Sequence, residues 1–241
     1  MLDVPSSPLP QDDLACAGTP VHGVVGLGDS YLNGYGLPLA GISCTPWTGW
    51  LAWALRTCCT QLAVNGATCE QVLHDQTPLL RRRYLLGAVW LGANDIARLD
   101  STAFARSFRA LCTRVGEACD TVAVGTLPAA LTSPGASQHA HAVGRLTVNT
   151  IIRGVAADVG AVLVELEDAL DGRWSMAPDR EHPTSLGQLT AATVAAAALD
   201  ARGMHFLRHL PSAAERQPTP AERLLYRPSR RSRLRLRGAG W

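Results

Sequence analysis

Five short apolar runs, near residues 23–27, 61–64, 85–91, 121–125 and 161–165, each give way to a longer stretch with helical patterning, and this alternation is the tightest constraint on the fold. Runs that stay apolar throughout suit strands covered on both faces. The helical stretches, at 47–58, 69–80, 101–118, 139–159 and 184–201, provide that cover. Strands joined by helical crossovers lie parallel, and right-handed crossovers place helices on both faces of the sheet. The expected fold is therefore α/β, a three-layer α/β/α sandwich around a five-stranded parallel sheet. Loops at the carboxyl ends of such strands form the natural crevice for ligands. Pro183 suits the first turn of the last helix, where a missing N–H costs no intrahelical bond. The alanine-rich run from Ala191 to Ala198 lets that helix pack closely on the sheet.

The alternation uses most of the 241 residues, so one domain is expected at 20–210. It follows an N-terminal extension at 1–19 and precedes a Pro- and Arg-rich tail at 211–241 that reads as disordered. The Lys+Arg total of 22 is all arginine, which with the abundant alanine points to a GC-rich bacterial genome. Residues 212–241 hold eight Arg against Glu215 and Glu222, a net charge of +6, while the rest of the chain carries −4. Such a tail offers weak contact with anionic lipid or polynucleotide; a solvated end is the favoured reading, since no aromatic platform or nucleic-acid module accompanies it. No stretch reaches the roughly 18 apolar residues of a spanning helix. The opening Met1-Leu2-Asp3-Val4 has neither a basic start nor an apolar core, so a cytoplasmic location is expected. The seven cysteines, an odd number falling partly in apolar helical stretches, suit reduced, buried thiols better than a disulfide framework.

Polar residues cluster after the apolar runs. Gly28-Asp29-Ser30-Tyr31 follows the first, Asn65-Gly66 the second and Gly92-Ala93-Asn94-Asp95 the third, while Asp179-Arg180-Glu181-His182-Pro183 stands before the last helical stretch. In this order and strand context the four blocks resemble the SGNH, or GDSL, hydrolase family, over roughly residues 20–205. The family's initials fall on Ser30, Gly66, Asn94 and His182. One letter departs: Tyr31 stands where the older name has Leu, which bears on the shape of the pocket and not on the chemistry. The resemblance implies a flavodoxin-like fold and ester hydrolysis with no cofactor and no obligatory partner.

Ester hydrolysis requires a nucleophile, a base, a group that orients the base and donors for the oxyanion. Ser30 supplies the nucleophile, His182 the base and Asp179 the orienting carboxylate, the same roles that the resemblance assigns. With three residues from acid to base, one turn can carry both. For the oxyanion, the resemblance implies the backbone N–H groups of Ser30 and Gly66 with the side-chain amide of Asn94. Singly, each of these residues is better read as a cap or turn residue; jointly, in order on an α/β pattern, they are not. Asp29 and Asp95 are expected to shape their loops by local hydrogen bonds and stand outside the catalytic set.

Other signatures fall away. The G-x-S-x-G elbow is absent around Ser30, and the third glycine of a dinucleotide fingerprint is replaced by Tyr31. His139 with His141, and His205 with His209, lack the thiolate or carboxylate neighbours of a zinc site and read as surface residues, so no metal is expected. Trp47, Trp50 and Trp53 recur every third residue and read as a helix face against the sheet. The segment 31–39 is the expected substrate contact, through Tyr31, Leu32 and Tyr35, with Gly34 and Gly36 making it pliable. The expectation is a serine esterase acting on small, accessible acyl or acetyl esters. Acyl transfer on the same scaffold and a catalytically idle binding protein are the alternatives.

Overall fold

The computed structural model describes residues 22–132 and 138–226. Five parallel strands, β1 (His22–Gly28), β2 (Cys59–Gln61), β3 (Tyr84–Trp90), β4 (Cys119–Gly125) and β5 (Val162–Val164), form one sheet in the order β2-β1-β3-β4-β5. The helices are α1 (Trp47–Leu55), α2 (Cys69–Gln71), α3 (Ser101–Ala118), α4 (Gln138–Val159), α5 (Ser185–Asp200) and α6 (Pro220–Leu225). α1 packs with α5, and α2 and α4 pack with α3, so two helical layers enclose the sheet. This is the three-layer α/β architecture that the apolar runs predict.

Burial explains the strand sequences. Val24, Val25 and Leu27 of β1 and Leu86, Ala88, Val89 and Trp90 of β3 are all within 1% of complete burial, which is why these runs are apolar throughout rather than alternating. On α1, Trp47 and Trp50 are fully buried, and Trp47 meets Trp90 of β3 edge-on at 6.5 Å. Truncating an aromatic side chain in such a core costs about 3–5 kcal/mol. Ala191, Ala192 and Ala195 are buried on α5, as the alanine run leads one to expect.

Several boundaries differ from the sequence reading. α1 stops at Leu55 because Arg56 turns left-handed (φ 56°) and its loop folds back through the Thr57 N–H bond to the Ala52 carbonyl. β2 lies earlier than residues 61–64, at Cys59–Gln61, because the chain then peels away from β1; only the Leu62 and Val64 N–H groups still reach the Gly26 and Gly28 carbonyls. The helix expected at 69–80 breaks into the single turn of α2, a π turn (Val72–Gln76) and a 3₁₀ turn (Thr77–Leu79). A further 3₁₀ turn, Ala93–Arg98, follows β3. α5 begins after its cap Thr184, so Pro183 lies outside the helix, where it bridges Met176. The expectation of disorder from 211 onward is corrected for residues 220–225, which form α6 under a Thr219–Glu222 capping box. Residues 227–241, with most of the tail's arginines, lie outside the described residues, as do the extension at 1–19 and Cys16.

No helix among the described residues is long and apolar enough to cross a membrane. None of the six described cysteines is paired in a disulfide, and Cys69, Cys112 and Cys119 are buried. His141 is a correction: it is buried at the start of α4, with 6% of its surface exposed, and is not a surface residue, while His139, His205 and His209 are exposed.

Candidate active site

The loop that carries Ser30 leaves β1 at Gly28, where only glycine fits: a Cβ would lie 2.1 Å from the Trp90 carbonyl of the neighbouring strand. Asp29, fully buried, then accepts the Tyr31 N–H on Oδ1 at 3.0 Å, and its carbonyl accepts the Leu32 and Asn33 N–H groups, which winds the chain into a tight turn. Ser30 stands at the head of this turn. Among the described residues, neither its N–H nor that of Gly66 is paired with an acceptor.

Residues 175–184 form a small hairpin that carries Asp179 and His182. Its base is the Met176–Pro183 bridge, and the Ala177 N–H donates to the His182 carbonyl at 2.7 Å. Arg180, left-handed at φ 59°, turns the tip. Asp179 Oδ1 accepts the N–H groups of Glu181 (2.9 Å) and His182 (3.0 Å), leaving Oδ2 to meet His182 Nδ1 at 2.9 Å. His182 Nε2 lies 3.1 Å from Ser30 Oγ. A proton on Nδ1 satisfies both contacts, so Asp179 fixes the tautomer in which Nε2 accepts from the serine.

The electrostatics follow from these contacts. Burial pulls the His182 imidazole down, but the Asp179 hydrogen bond and charge, with Glu181 and Asp29, outweigh it and leave the group above its ordinary value. Burial pushes the Asp179 carboxyl up, and the His182 side chain with two backbone donors more than reverses that. Beneath the serine, burial raises Asp29 to about 7, against the pull of the Tyr31 N–H.

The third and second blocks meet this pair. Asn94 Nδ2 donates to Asp29 Oδ2 and to the Ala67 carbonyl, both at 3.1 Å. Gly66 (φ 78°) sits in the same turn as Ala67, and a Cβ there would meet open space, so a left-handed turn and not crowding explains the glycine. Asn33 Nδ2 donates to Asn65 Oδ1 at 2.9 Å, joining the first two blocks. Asp95 accepts the Cys69 N–H with both oxygens (3.1 and 3.2 Å) and so ties the third block to the start of α2. Asp29 shapes its own loop through the Tyr31 N–H, as the sequence suggests, whereas its bond from Asn94 and the bonds of Asp95 from Cys69 are not local and join separate blocks.

The substrate contacts expected of Tyr31 and Leu32 are corrected. Tyr31 is 1% exposed and stacked on Trp90 at 4.6 Å, and Leu32 is fully buried. Side-chain amides hold the carbonyls of both residues with their side chains turned inward: buried Gln188 Nε2 donates to Tyr31 at 2.7 Å, and half-buried Gln61 Nε2 donates to Leu32. Tyr35 is different: 56% exposed, it meets the His182 ring edge-on at 4.6 Å. The glycines of the segment answer to geometry: Gly34 is left-handed (φ 75°), and a Cβ on Gly36 would lie 2.1 Å from the Pro183 carbonyl.

One residue the sequence reading passes over is Gln76. It is 2% exposed, and its Oε1 accepts the Gly28 N–H at 2.9 Å while its Nε2 donates to the Gly28 carbonyl at 2.8 Å. It thus takes the place of a strand partner at the Gly28 N–H and shares the carbonyl with the Val64 N–H. The π turn aims it there, and no periodicity of the sequence reveals such a turn.

The GDSL-like Lipase/Acylhydrolase family matches residues 27–189, and the chain belongs to that family of serine hydrolases acting on ester bonds. Solved structures share the fold at low identity. LAE5, an alpha/beta hydrolase enzyme from the metagenome of Lake Arreo, Spain, is 17% identical with a TM-score of 0.62, over 78% of this chain and 97% of that one. The psychrotrophic esterase EstA from Pseudoalteromonas sp., in a structure inhibited by monoethylphosphonate, is 17% identical with a TM-score of 0.57, over 75% and 98%. A mutant of Axe2, an acetyl-xylooligosaccharide esterase from Geobacillus, is 13% identical with a TM-score of 0.56, over 79% and 100%. No curated protein matches the chain.

Proposed function

We propose that the protein cleaves short acyl esters, acetyl esters foremost, through a covalent acyl-Ser30 intermediate. The observation that carries this reading is the continuous chain from Ser30 Oγ through His182 (3.1 Å) to Asp179 (2.9 Å). His182 Nε2 takes the hydroxyl proton as Ser30 Oγ bonds to the acyl carbon. The tetrahedral oxyanion is met by the unpaired N–H groups of Ser30 and Gly66 and by the Asn94 amide. As it collapses, the bond to the leaving oxygen breaks and that oxygen takes the proton from His182. Water, deprotonated by the same imidazole, then attacks the acyl carbon and releases the acid and Ser30. Asp179 remains ionised throughout and stabilises the imidazolium.

Small acyl groups fit the surroundings. Tyr31 and Leu32 are sealed in the core and cannot line a long acyl channel, while exposed Tyr35 offers a ring beside the base. The fold shared with Axe2 favours acetylated sugars as the first substrates to try. Labelling by a fluorophosphonate, lost in Ser30→Ala, is the direct test of the nucleophile. Turnover of p-nitrophenyl acetate through decanoate and of acetylated xylo-oligosaccharides tests the chain-length preference, and a maximum at long chains would refute it.

A further inference from the structure

The family match ends at residue 189, yet the described chain runs on through α6 to Tyr226 and returns to the acid–base hairpin. We propose that α6 and Tyr226 form a strap that sets the position of this hairpin, with the Tyr226 hydroxyl as the positioning group; the inference rests on Asp179 and His182 being the acid–base pair.

A helix of six residues is marginal alone, so α6 owes its order to what it touches. At its start the Thr219 N–H donates to Glu222 Oε2 at 2.6 Å, and the Glu222 N–H donates to Thr219 Oγ1 at 3.3 Å. The other oxygen of Glu222 accepts the Gly41 N–H at 3.5 Å, on the turn between Leu39 and Ile42. Ser185 fixes that turn beside the hairpin, its Oγ accepting the Leu39 N–H at 2.8 Å and donating to the Leu39 carbonyl at 3.1 Å.

At the far end, the Tyr226 hydroxyl donates to the Met176 carbonyl, and its ring meets Trp174 edge-on at 4.7 Å. Met176 is one half of the bridge at the hairpin's root, and the Trp174 carbonyl accepts the Thr184 hydroxyl on the returning arm. The Arg173 guanidinium lies over the Trp174 ring at 4.6 Å. Burial holds the Tyr226 phenol above its ordinary range, so it remains a donor, and Arg180, Asp179 and Arg173 are the charges that act on it.

The strap adds a separate hold on a root that is itself packed, with Met176, Ala177 and Thr184 buried and the Thr184 N–H bonded to the Ser175 carbonyl, and so steadies a tip that is not packed. Residues 178–180 are exposed, and the tip is tied to the body by the Thr132 N–H bond to the Arg180 carbonyl at 2.9 Å. A displacement of about 1 Å at a reacting group costs on the order of 100-fold in rate. Fixing the root through Tyr226 keeps His182 Nε2 within reach of Ser30.

The test is Tyr226→Phe in the full-length chain, which removes the hydroxyl and keeps the ring. Amide hydrogen exchange at Ala177, Arg180, Glu181 and His182 should quicken by about tenfold while β1 and β3 keep their protection. On p-nitrophenyl acetate kcat should fall about tenfold with KM within about twofold. The acid limb of kcat/KM should move to lower pH, because Asp179, which with Glu181 and Asp29 raises the imidazole, loosens its hold. Wild-type exchange in the hairpin with an unmoved acid limb would overturn the proposal. Should Tyr226→Phe also loosen the sheet, Glu222→Ala at the opposite end of the strap gives the same reading: faster exchange confined to the hairpin supports it, and unchanged exchange there overturns it. If the wild type cleaves no ester, the ester reading fails on its own and hairpin exchange alone decides the strap.

Discussion

Asn94 reaches Asp29 across the floor of the site: its Nδ2 donates to Asp29 Oδ2 at 3.1 Å and, with its second proton, to the Ala67 carbonyl at 3.1 Å. Both protons are therefore engaged at rest. For the amide to serve an oxyanion, one bond must give way, and the bond to a neutral carbonyl is the weaker when Asp29 is ionised. Asn94 is held in place by the group from which it will not be released.

Asn94→Ala should lower kcat by about 10²–10³, the usual size of losing one oxyanion donor, and should also lower the melting temperature, because it leaves the buried Asp29 Oδ2 and the Ala67 carbonyl without this donor. Steady-state kinetics on p-nitrophenyl acetate alongside a thermal melt measure both. A kcat within a factor of about three of wild type would exclude the amide from the oxyanion site.

Asp29→Asn should separate stability from activity. The folded protein holds the Asp29 proton up to about pH 7, against 3.8 for the ordinary group. Stability from this carboxyl is full below about pH 4, declines as pH rises and is lost above about 7, a swing of roughly 4 kcal/mol. Asparagine cannot ionise, so the unfolding free energy of the variant should gain on wild type between pH 4 and 8. Asp95, raised by burial to about 6, leaves a residual slope in both proteins. Turnover should fall, because the new amide can present a donor where Asn94 needs an acceptor. Denaturant unfolding at the two pH values is decisive: parallel curves would show that the carboxyl does not titrate in this window.

The pH profile of kcat/KM reads His182 directly. In the proposed mechanism the neutral imidazole is the base, and its folded value lies above 6.5, so activity should be lost as pH falls through a midpoint above 6.5. Asp179→Asn should cut kcat by about 10⁴, the effect of the corresponding change in a serine protease triad, and a midpoint at or below 6.5 in the wild type would contradict the charge arrangement.

Gln76→Leu should destabilise the protein by about 1–3 kcal/mol through the unpaired Gly28 N–H and should also lower kcat. Urea unfolding and a single-turnover assay report the two effects. Loss of stability with unaltered kcat would mean that Gln76 supports β1 without bearing on Ser30.

The sheet and the four polar blocks are legible because the first and third blocks follow runs whose burial on both faces forces them to be apolar, while the second follows the half-buried edge strand β2. Ser30, Gly66 and Asn94 are marked by the ends of strands, and Asp179 with His182 by a spacing that fits one turn. Tyr31 and Leu32 mislead for the opposite reason: an aromatic and an aliphatic side chain beside a nucleophile look alike whether they face substrate or core. Their carbonyls are held by the distant amides of Gln188 and Gln61, bonds that no local pattern announces. Gln76 is hidden by a break in helical phase, and α6 by prolines and arginines that resemble an unstructured tail.

The departure of β2 from β1 after Gln61 has a consequence for how this scaffold varies. With Gln76 taking the Gly28 N–H and sharing its carbonyl with the Val64 N–H, the residue before Asp29 and Ser30 is held by a side chain as well as by the edge strand's continuation. Side chains at residues 62–65 can therefore change without shifting Ser30 so long as the Leu62 and Val64 N–H bonds to β1 and the turn at Gly66 are kept, so selectivity can be rebuilt on one rim of the crevice while the reactive centre stays where it is.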